Sequence, residues 1–252
     1  MEERYIQAVR IDWDEVPPSS WLRAVPALQG LETLSFHRNI TFFAGENGTG
    51  KSTLLEAIAV AYGFNPEGGT VNYRFSTFDE GAGLGRAVRL VKGFRHAPFG
   101  YFFRAESFFN VASRAEVYRN SGLGPVAKED YYRHYGGKAL HEQSHGESFL
   151  NWFSACEDTG VYLMDEPEAA LSPQRQLALL LQMVRMARGG AQFIVASHSP
   201  ILLGAPESEI LAFDGTGVHP CAYEDTESYQ VTRLFLDGRE RLIDRLLQEE
   251  EP

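Results

Sequence analysis

Residues Gly45-Glu46-Asn47-Gly48-Thr49-Gly50-Lys51-Ser52 fit the pattern G-x-x-x-x-G-K-[ST], and Thr53 follows. Glycines let a backbone curl until its N–H groups converge on one point, and a following helix adds the positive end of its dipole. Such a nest suits a phosphate. At this spacing Lys51 can reach the β- and γ-phosphates of a nucleoside triphosphate, and Ser52 can ligate Mg²⁺. A glycine-rich turn that matches by chance is the plain alternative. The flanks weigh against it. Asn39-Ile40-Thr41-Phe42-Phe43-Ala44 reads as a buried strand. Residues 52–62 are good helix formers, with Gly63 as a C-terminal stop.

A second group of residues can do complementary chemistry. Gly160-Val161-Tyr162-Leu163-Met164 reads as a short buried strand that runs into Asp165-Glu166-Pro167. Open α/β sheets bind ligands at the C-terminal edges of their strands. There Asp165 is expected to hold Mg²⁺ through water, and Glu166 to polarise an attacking water as general base. The alternative is a pair of surface carboxylates opening a turn. His198, in Ala196-Ser197-His198-Ser199, follows the next buried strand, 192–196. It can donate a hydrogen bond to a γ-phosphate oxygen, or it is simply a satisfied polar residue at a strand end.

Positioning these groups requires strand–helix–strand units, and the last third of the chain supplies them. Ser172 followed by Pro173 reads as an N-cap with proline at the first helical position. Leu177, Leu180, Leu181 and Val184 recur at helical spacing, and Gly189-Gly190 closes that helix. The expected result is a parallel sheet covered by helices. Residues 63–100 contain eight glycines, and Val71, Tyr73 and Phe75 alternate with polar residues. With the strand-like runs 86–94 and 99–105, they predict a small antiparallel meander. Residues 106–140 are expected to form a helical lid. The tail from about 228 reads as helix, with a break at Asp237-Gly238.

Composition sets outer limits. Of 252 residues, 44% are hydrophobic and 23% charged, which excludes a disordered chain. Two cysteines, Cys156 and Cys221, exclude a disulfide framework and a Cys-type zinc site. His134, His141 and His145 are not at metal-ligand spacing; Cys156 is expected to pack, and Glu249-Glu250-Glu251 to be a solvated end. Met1-Glu2-Glu3-Arg4 lacks a signal-peptide pattern, and no apolar run approaches the roughly 20 residues of a membrane span. A soluble cytoplasmic protein is the expectation.

Taken together, these residues resemble the ATP-binding-cassette (ABC) ATPase superfamily over nearly the whole chain. Residues 45–52 correspond to its Walker A loop and 161–166 to its Walker B strand. Gln143-Ser144-His145-Gly146-Glu147-Ser148 looks like its signature loop, which in the family caps the γ-phosphate of the opposite subunit. Ser144 and Gly146 are the matching positions. The resemblance implies an α/β P-loop NTPase of ABC type: a mostly parallel central sheet flanked by helices, a small antiparallel β subdomain and a helical lid. Residues 1–62 and 160–252 would form the nucleotide-binding core, and about 63–148 the lid insertion carrying the signature loop. It further implies ATP and Mg²⁺ as ligands, with two ATP molecules sandwiched in a homodimer. Glu168 after Pro167, Ser172 at the D-loop Asp position, and Pro200 after His198-Ser199 depart from the transport ATPases. They look more like the non-transport branch, with its RecF-like, SMC-like and compact bacterial AAA-type predicted ATPases. No Gln ends the strand at 99–105, where the family's Q-loop would be; Glu106 is the substitute offered for the metal. Tyr5, Trp13, Trp21 and Phe36 are the aromatics that precede the phosphate loop, and none is singled out to stack on adenine.

Charge bears on the partner. The chain is at −11 overall, yet residues 68–140 carry eleven Lys/Arg against six Asp/Glu and hold fourteen of 31 aromatics. Interleaved arginines and aromatics can bind nucleic acid, but an acidic chain is poorly suited to tight nonspecific binding. A small subdomain with an aromatic core, its arginines near ATP or the dimer partner, is the favoured explanation. The expectation is an ATP-hydrolysing, dimerising ATPase in a non-transport role such as DNA repair or defence. The alternatives are the ATP-binding subunit of a transporter, whose membrane partner these motifs disfavour, and a slow nucleotide-dependent dimerisation switch.

Overall fold

In the computed structural model, residues 4–71, 83–106, 145–156, 159–169 and 171–249 are described. The strands are β1 (Ile6–Ile11), β2 (Thr33–Ser35), β3 (Ile40–Ala44), β4 (Gly69–Thr70), β5 (Val88–Lys92), β6 (Gly100–Arg104), β7 (Val161–Asp165), β8 (Gln192–Ala196), β9 (Glu209–Asp214) and β10 (Gly217–Cys221). The helices are α1 (Lys51–Tyr62), α2 (Gly83–Ala87), α3 (His145–Ser154), α4 (Pro173–Arg188), α5 (Pro200–Leu203) and α6 (Glu227–Glu249).

β3, β7 and β8 are buried at every position, as strands covered on both faces must be. They form the middle of a seven-stranded sheet of order β10-β9-β3-β8-β7-β6-β4. The pairs β9–β3, β3–β8, β8–β7 and β7–β6 are parallel, and the edge strands β10 and β4 are antiparallel. Side chains alternate between two cores. Phe43 and Leu163 face Leu54, Ile58 and the N-terminal strands. Phe42, Tyr162 and Met164 face Phe149, Phe153, Leu179 and Met183. Helix α1 therefore covers one face, and α3 and α4 the other.

Behind α1 lies a separate three-stranded antiparallel sheet, β2-β1-β5. Gln192, fully buried at the start of β8, ties it to the main sheet. Its Nε2 donates to the Ile6 carbonyl at 2.7 Å, and its Oε1 accepts the Ile6 N–H at 2.8 Å. One side chain thus satisfies both backbone groups of a strand it is not paired with.

Some expectations need correction. The 86–94 and 99–105 runs do not form a meander: β5 pairs with β1, while β6 pairs with β7 inside the main sheet. The antiparallel sheet thus draws on the N-terminal segment, and the core draws on residues 100–104. On α4 the buried stripe is Leu179, Met183, Val184, Met186 and Ala187, whereas Leu177 and Leu181 are 50% and 58% exposed. Ser172 is the N-cap residue of α4 and Pro173 its first helical residue, but the Ser172 hydroxyl makes no cap bond. α6 is broken at Gly238, whose φ/ψ are non-helical. Cys156 is partly buried against the α3–α4 core. Beyond Glu106, the expected lid, Tyr73, Phe75, His134, His141, Ser144 and Glu250 lie outside the described residues. Among the described residues, no helix is long and apolar enough to cross a membrane.

Candidate functional site

β3 ends at Ala44, and the chain turns at once through a left-handed Gly45, φ +141°. A Cβ there would lie 2.2 Å from the Phe213 carbonyl oxygen, so only glycine allows the loop to leave the sheet against β9. Gly50, φ +100°, opens α1, and a Cβ on it would sit 2.8 Å from Val25. Between them Thr49 Oγ1 donates to the Glu46 carbonyl at 2.8 Å. Glu46, Asn47 and Gly48 are exposed at the tip.

Lys51, only 4% exposed, donates from Nζ to the carbonyls of Gly45 and Glu46 at 2.7 and 2.6 Å. Burial pushes its pKa down, opposed by the charges of Glu166, Asp165, Glu168 and Glu46. The next residue reaches the acid strand: Ser52 Oγ donates to Asp165 Oδ1 at 2.8 Å, across 113 residues of sequence. Thr53 is half-buried on the first turn of α1.

Asp165 ends β7 and is buried. Burial raises its pKa; the Ser52 hydrogen bond and the Arg104 charge oppose this. Sequence reasoning placed Arg104 only within a set of arginines expected near ATP or the dimer partner, with no individual role. In the β6–β7 register it stands opposite Asp165. Its Nε lies 3.7 Å from Asp165 Oδ2, and its Nη1 bonds Glu56 Oε2 at 2.7 Å and the Pro66 carbonyl at 3.0 Å. A basic residue ending the strand beside an acid strand would have been the signal, had the β6–β7 pairing been known. Glu106 lies two residues on, exposed, and its charge is felt at Asp165.

Glu166 has a left-handed backbone, φ +47°, unusual for a non-glycine residue. Its N–H is held by the Ala196 carbonyl at 3.0 Å. Its carboxylate stands 3.8 Å from His198 Nε2, and the His198 side chain is 36% exposed. The loop, the acid pair and His198 are thus brought together at the C-terminal ends of β3, β7 and β8. A cleft of about 810 Å³ opens beside the loop and His198, lined by Gly45, Glu46, Asn47, Thr49, His198 and Phe213 among others; Asp165 and Glu166 are not in its lining.

Gly146 lies in the first turn of α3. Of the four aromatics before the loop, Tyr5 and Phe36 are buried. Trp13 is half-buried, its Nε1 donating to the Leu31 carbonyl at 3.0 Å. Trp21, 65% exposed, borders a pocket of about 340 Å³ with Ser52, Thr53, Glu56 and Arg104.

The donor set fits a hard cation. A hydroxyl and a carboxylate oxygen 2.8 Å apart match the edge, about 3 Å, of an octahedron with magnesium–oxygen bonds of about 2.1 Å. The glycine nest and Lys51 beside them fit a phosphate chain.

Two family models match parts of the chain. One, described as "AAA domain, putative AbiEii toxin, Type IV TA system", matches residues 148–204. The other, described as "AAA domain", matches residues 23–98. The nickel import ATP-binding protein NikO of Rhodobacter capsulatus is 33% identical over 199 residues, which is 70% of this chain and 75% of that protein. The hemin import ATP-binding protein HmuV of Pseudomonas aeruginosa is 28% identical over 211 residues, 71% of this chain and 81% of that protein. The arabinose import ATP-binding protein AraG of Pseudomonas syringae is 27% identical over 192 residues; the match takes in 70% of this chain but only 37% of AraG.

Proposed function

Since the chain belongs to the ATP-binding-cassette ATPases, we propose that it binds ATP with Mg²⁺, closes on it as a homodimer and hydrolyses it to ADP and phosphate. The observation that carries this is the 2.8 Å contact between Ser52 and Asp165, which sets the metal-binding acid against the phosphate loop beside Lys51.

The geometry supports the roles on the nucleotide side, and the family resemblance those of Ser144 and Gly146. Backbone N–H groups of residues 45–50 and the N-terminus of α1 cradle the phosphates, and Gly48, Thr49 and Thr53 line their path. Lys51 exchanges its two loop carbonyls for β- and γ-phosphate oxygens. Ser52 and Asp165 would hold the metal, and Glu106, whose charge is felt at Asp165, is offered as a further ligand. When bound, magnesium would supply charge neutralisation on the phosphates. Glu166, its side chain 45% exposed beside His198, orients the attacking water and takes its proton. His198 donates to a γ-phosphate oxygen. Ser144 and Gly146 of one subunit contact the γ-phosphate held by the other. Catalysis here is positioning and electrostatics, with no covalent intermediate.

Sedimentation of Glu166→Gln tests the sandwich. With Mg²⁺ and ATP its mass is expected to double, and K51A in the same background should stay monomeric. A Glu166→Gln protein that stays monomeric at saturating ATP contradicts the dimer.

The output we favour is a non-transport one, such as DNA repair or defence, because Glu168 and the His198-Ser199-Pro200 run depart from transport ATPases. The names of NikO, HmuV and AraG favour a second reading, an import ATP-binding subunit. An ATPase rate that rises with DNA and falls back at high salt supports the first. Stimulation only in membranes carrying a co-purifying partner supports the second.

A further inference from the structure

Two residues beyond Glu166, the Glu168 carboxylate reaches the turn that follows β8. Its Oε1 accepts from Ser197 Oγ at 2.8 Å, from the His198 N–H at 2.6 Å and from the Ser199 N–H at 3.1 Å. Its Oε2 is buried without a hydrogen-bond partner among the described residues. A buried carboxylate is costly unless it is paired or well hydrogen-bonded. Here three donors converge on one oxygen, which is how a carboxylate holds a backbone turn rigid.

The turn is fixed from its other side as well. Ser197 and Ser199 are buried. Ser199 Oγ accepts from the Ile201 and Leu202 N–H groups at 3.1 and 3.2 Å and donates to Gln176 Oε1 at 2.6 Å. The backbone on both sides of His198 is therefore clamped, while its ring, about one-third exposed, borders the cleft beside Glu166, with Nε2 buried and without a hydrogen-bond partner among the described residues.

We propose that Glu168 is a positioning residue that clamps the 197–199 backbone so that the His198 imidazole meets the terminal phosphate. This deepens the proposed function and rests on the role given there to His198. A carboxylate suits the task better than its analogues. An amide oxygen is a weaker acceptor, and its NH₂ would fall at the buried Oε2 position. Aspartate is one methylene short of the turn.

The test is a double-mutant cycle on single-turnover hydrolysis, with hydrogen exchange measured on the same proteins. Glu168→Ala is expected to slow hydrolysis about 30- to 100-fold, the scale of a misplacement near 1 Å, while ATP affinity changes less than about threefold because Lys51 and its loop are untouched. Glu168→Gln should recover most of that rate. In a His198→Ala background, Glu168→Ala should cost less than about threefold, because its effect passes through the missing ring. Without added nucleotide, the His198 and Ser199 amides should lose exchange protection in Glu168→Ala and keep it in Glu168→Gln. Losses that multiply in the double mutant, or amides still protected in Glu168→Ala, would overturn the proposal. A His198→Ala protein that hydrolyses at the wild-type rate would refute the role of His198 itself, which is a failure of the function proposed above. Should Glu168→Ala not fold, Glu168→Asp, one methylene short of the turn, provides the same cycle.

Discussion

On the metal side of the site the charged groups hold one another: Lys51 is bonded to its own loop carbonyls, and Asp165 is shared between Ser52 and Arg104. On the His198 side the backbone is held by Glu168, Ser197 and Ser199, and the ring itself faces the cleft. In the proposed function the first arrangement would exchange partners to take up a phosphate and a metal, and the second would meet the phosphate as it stands. Burial explains the difference. Lys51 and Asp165 are charged groups out of water, and each needs a counter-charge or a polar neighbour at all times. The His198 ring is about one-third exposed, and its buried Nε2 has no hydrogen-bond partner among the described residues, so no bond has to break before it can donate.

The largest effect should come from removing the exchangeable cation. Lys51→Ala loses two charge-assisted bonds to phosphate at about 1.5–3 kcal/mol each. Calorimetry should show ATP binding weakened about 1,000-fold. Next comes the loop backbone, which does not exchange. Gly45→Ala forces a Cβ against the Phe213 carbonyl at a left-handed φ and should cost about 3 kcal/mol in chemical denaturation. A cost below about 1 kcal/mol would mean that the loop is free to shift. Arg104→Gln probes the exchange at Asp165 directly. Releasing the acid from its cationic neighbour should tighten the Mg²⁺ requirement of ATP binding about threefold; an unchanged magnesium titration would show that Arg104 does not compete there.

The smallest effect is a pH dependence on the fixed side. Burial raises the Glu168 pKa above the ordinary carboxylate value of 4.5. The folded protein therefore binds that proton more tightly than the unfolded chain does. The associated stability is complete below about pH 4.5 and is lost as pH rises through the raised value, at up to about 1.4 kcal/mol per pH unit. Glu168→Gln does not titrate. The stability of wild type relative to Glu168→Gln should thus fall as pH rises above about 4.5, and a difference that is flat in pH would contradict it.

Much of this site could be read along the chain, for a local reason. β3, β7 and β8 are buried throughout and mostly apolar, and they end in the phosphate loop, in Asp165-Glu166 and in Ser197-His198, so each strand carries its own functional group at its tip. The parts that could not be read depend on distant pairing. The runs at 88–92 and 100–104 look alike, and only their partners β1 and β7 assign them to different sheets. Leucines surround α4 on several sides, so spacing alone could not choose Leu179 and Met183 over Leu177 and Leu181. Arg104 could be read only as one of a set of arginines, and Glu168 only as a family departure, because their partners lie 38 and 29 or more residues away.

The most direct check on the central claim, that Lys51, Ser52, Asp165 and Glu166 act on one magnesium–triphosphate, is a paired measurement on Glu166→Gln: equilibrium Mg²⁺–ATP binding and single-turnover hydrolysis. The account predicts affinity within about threefold of wild type and hydrolysis slowed at least about 100-fold. Hydrolysis at the wild-type rate, with binding intact, would contradict it.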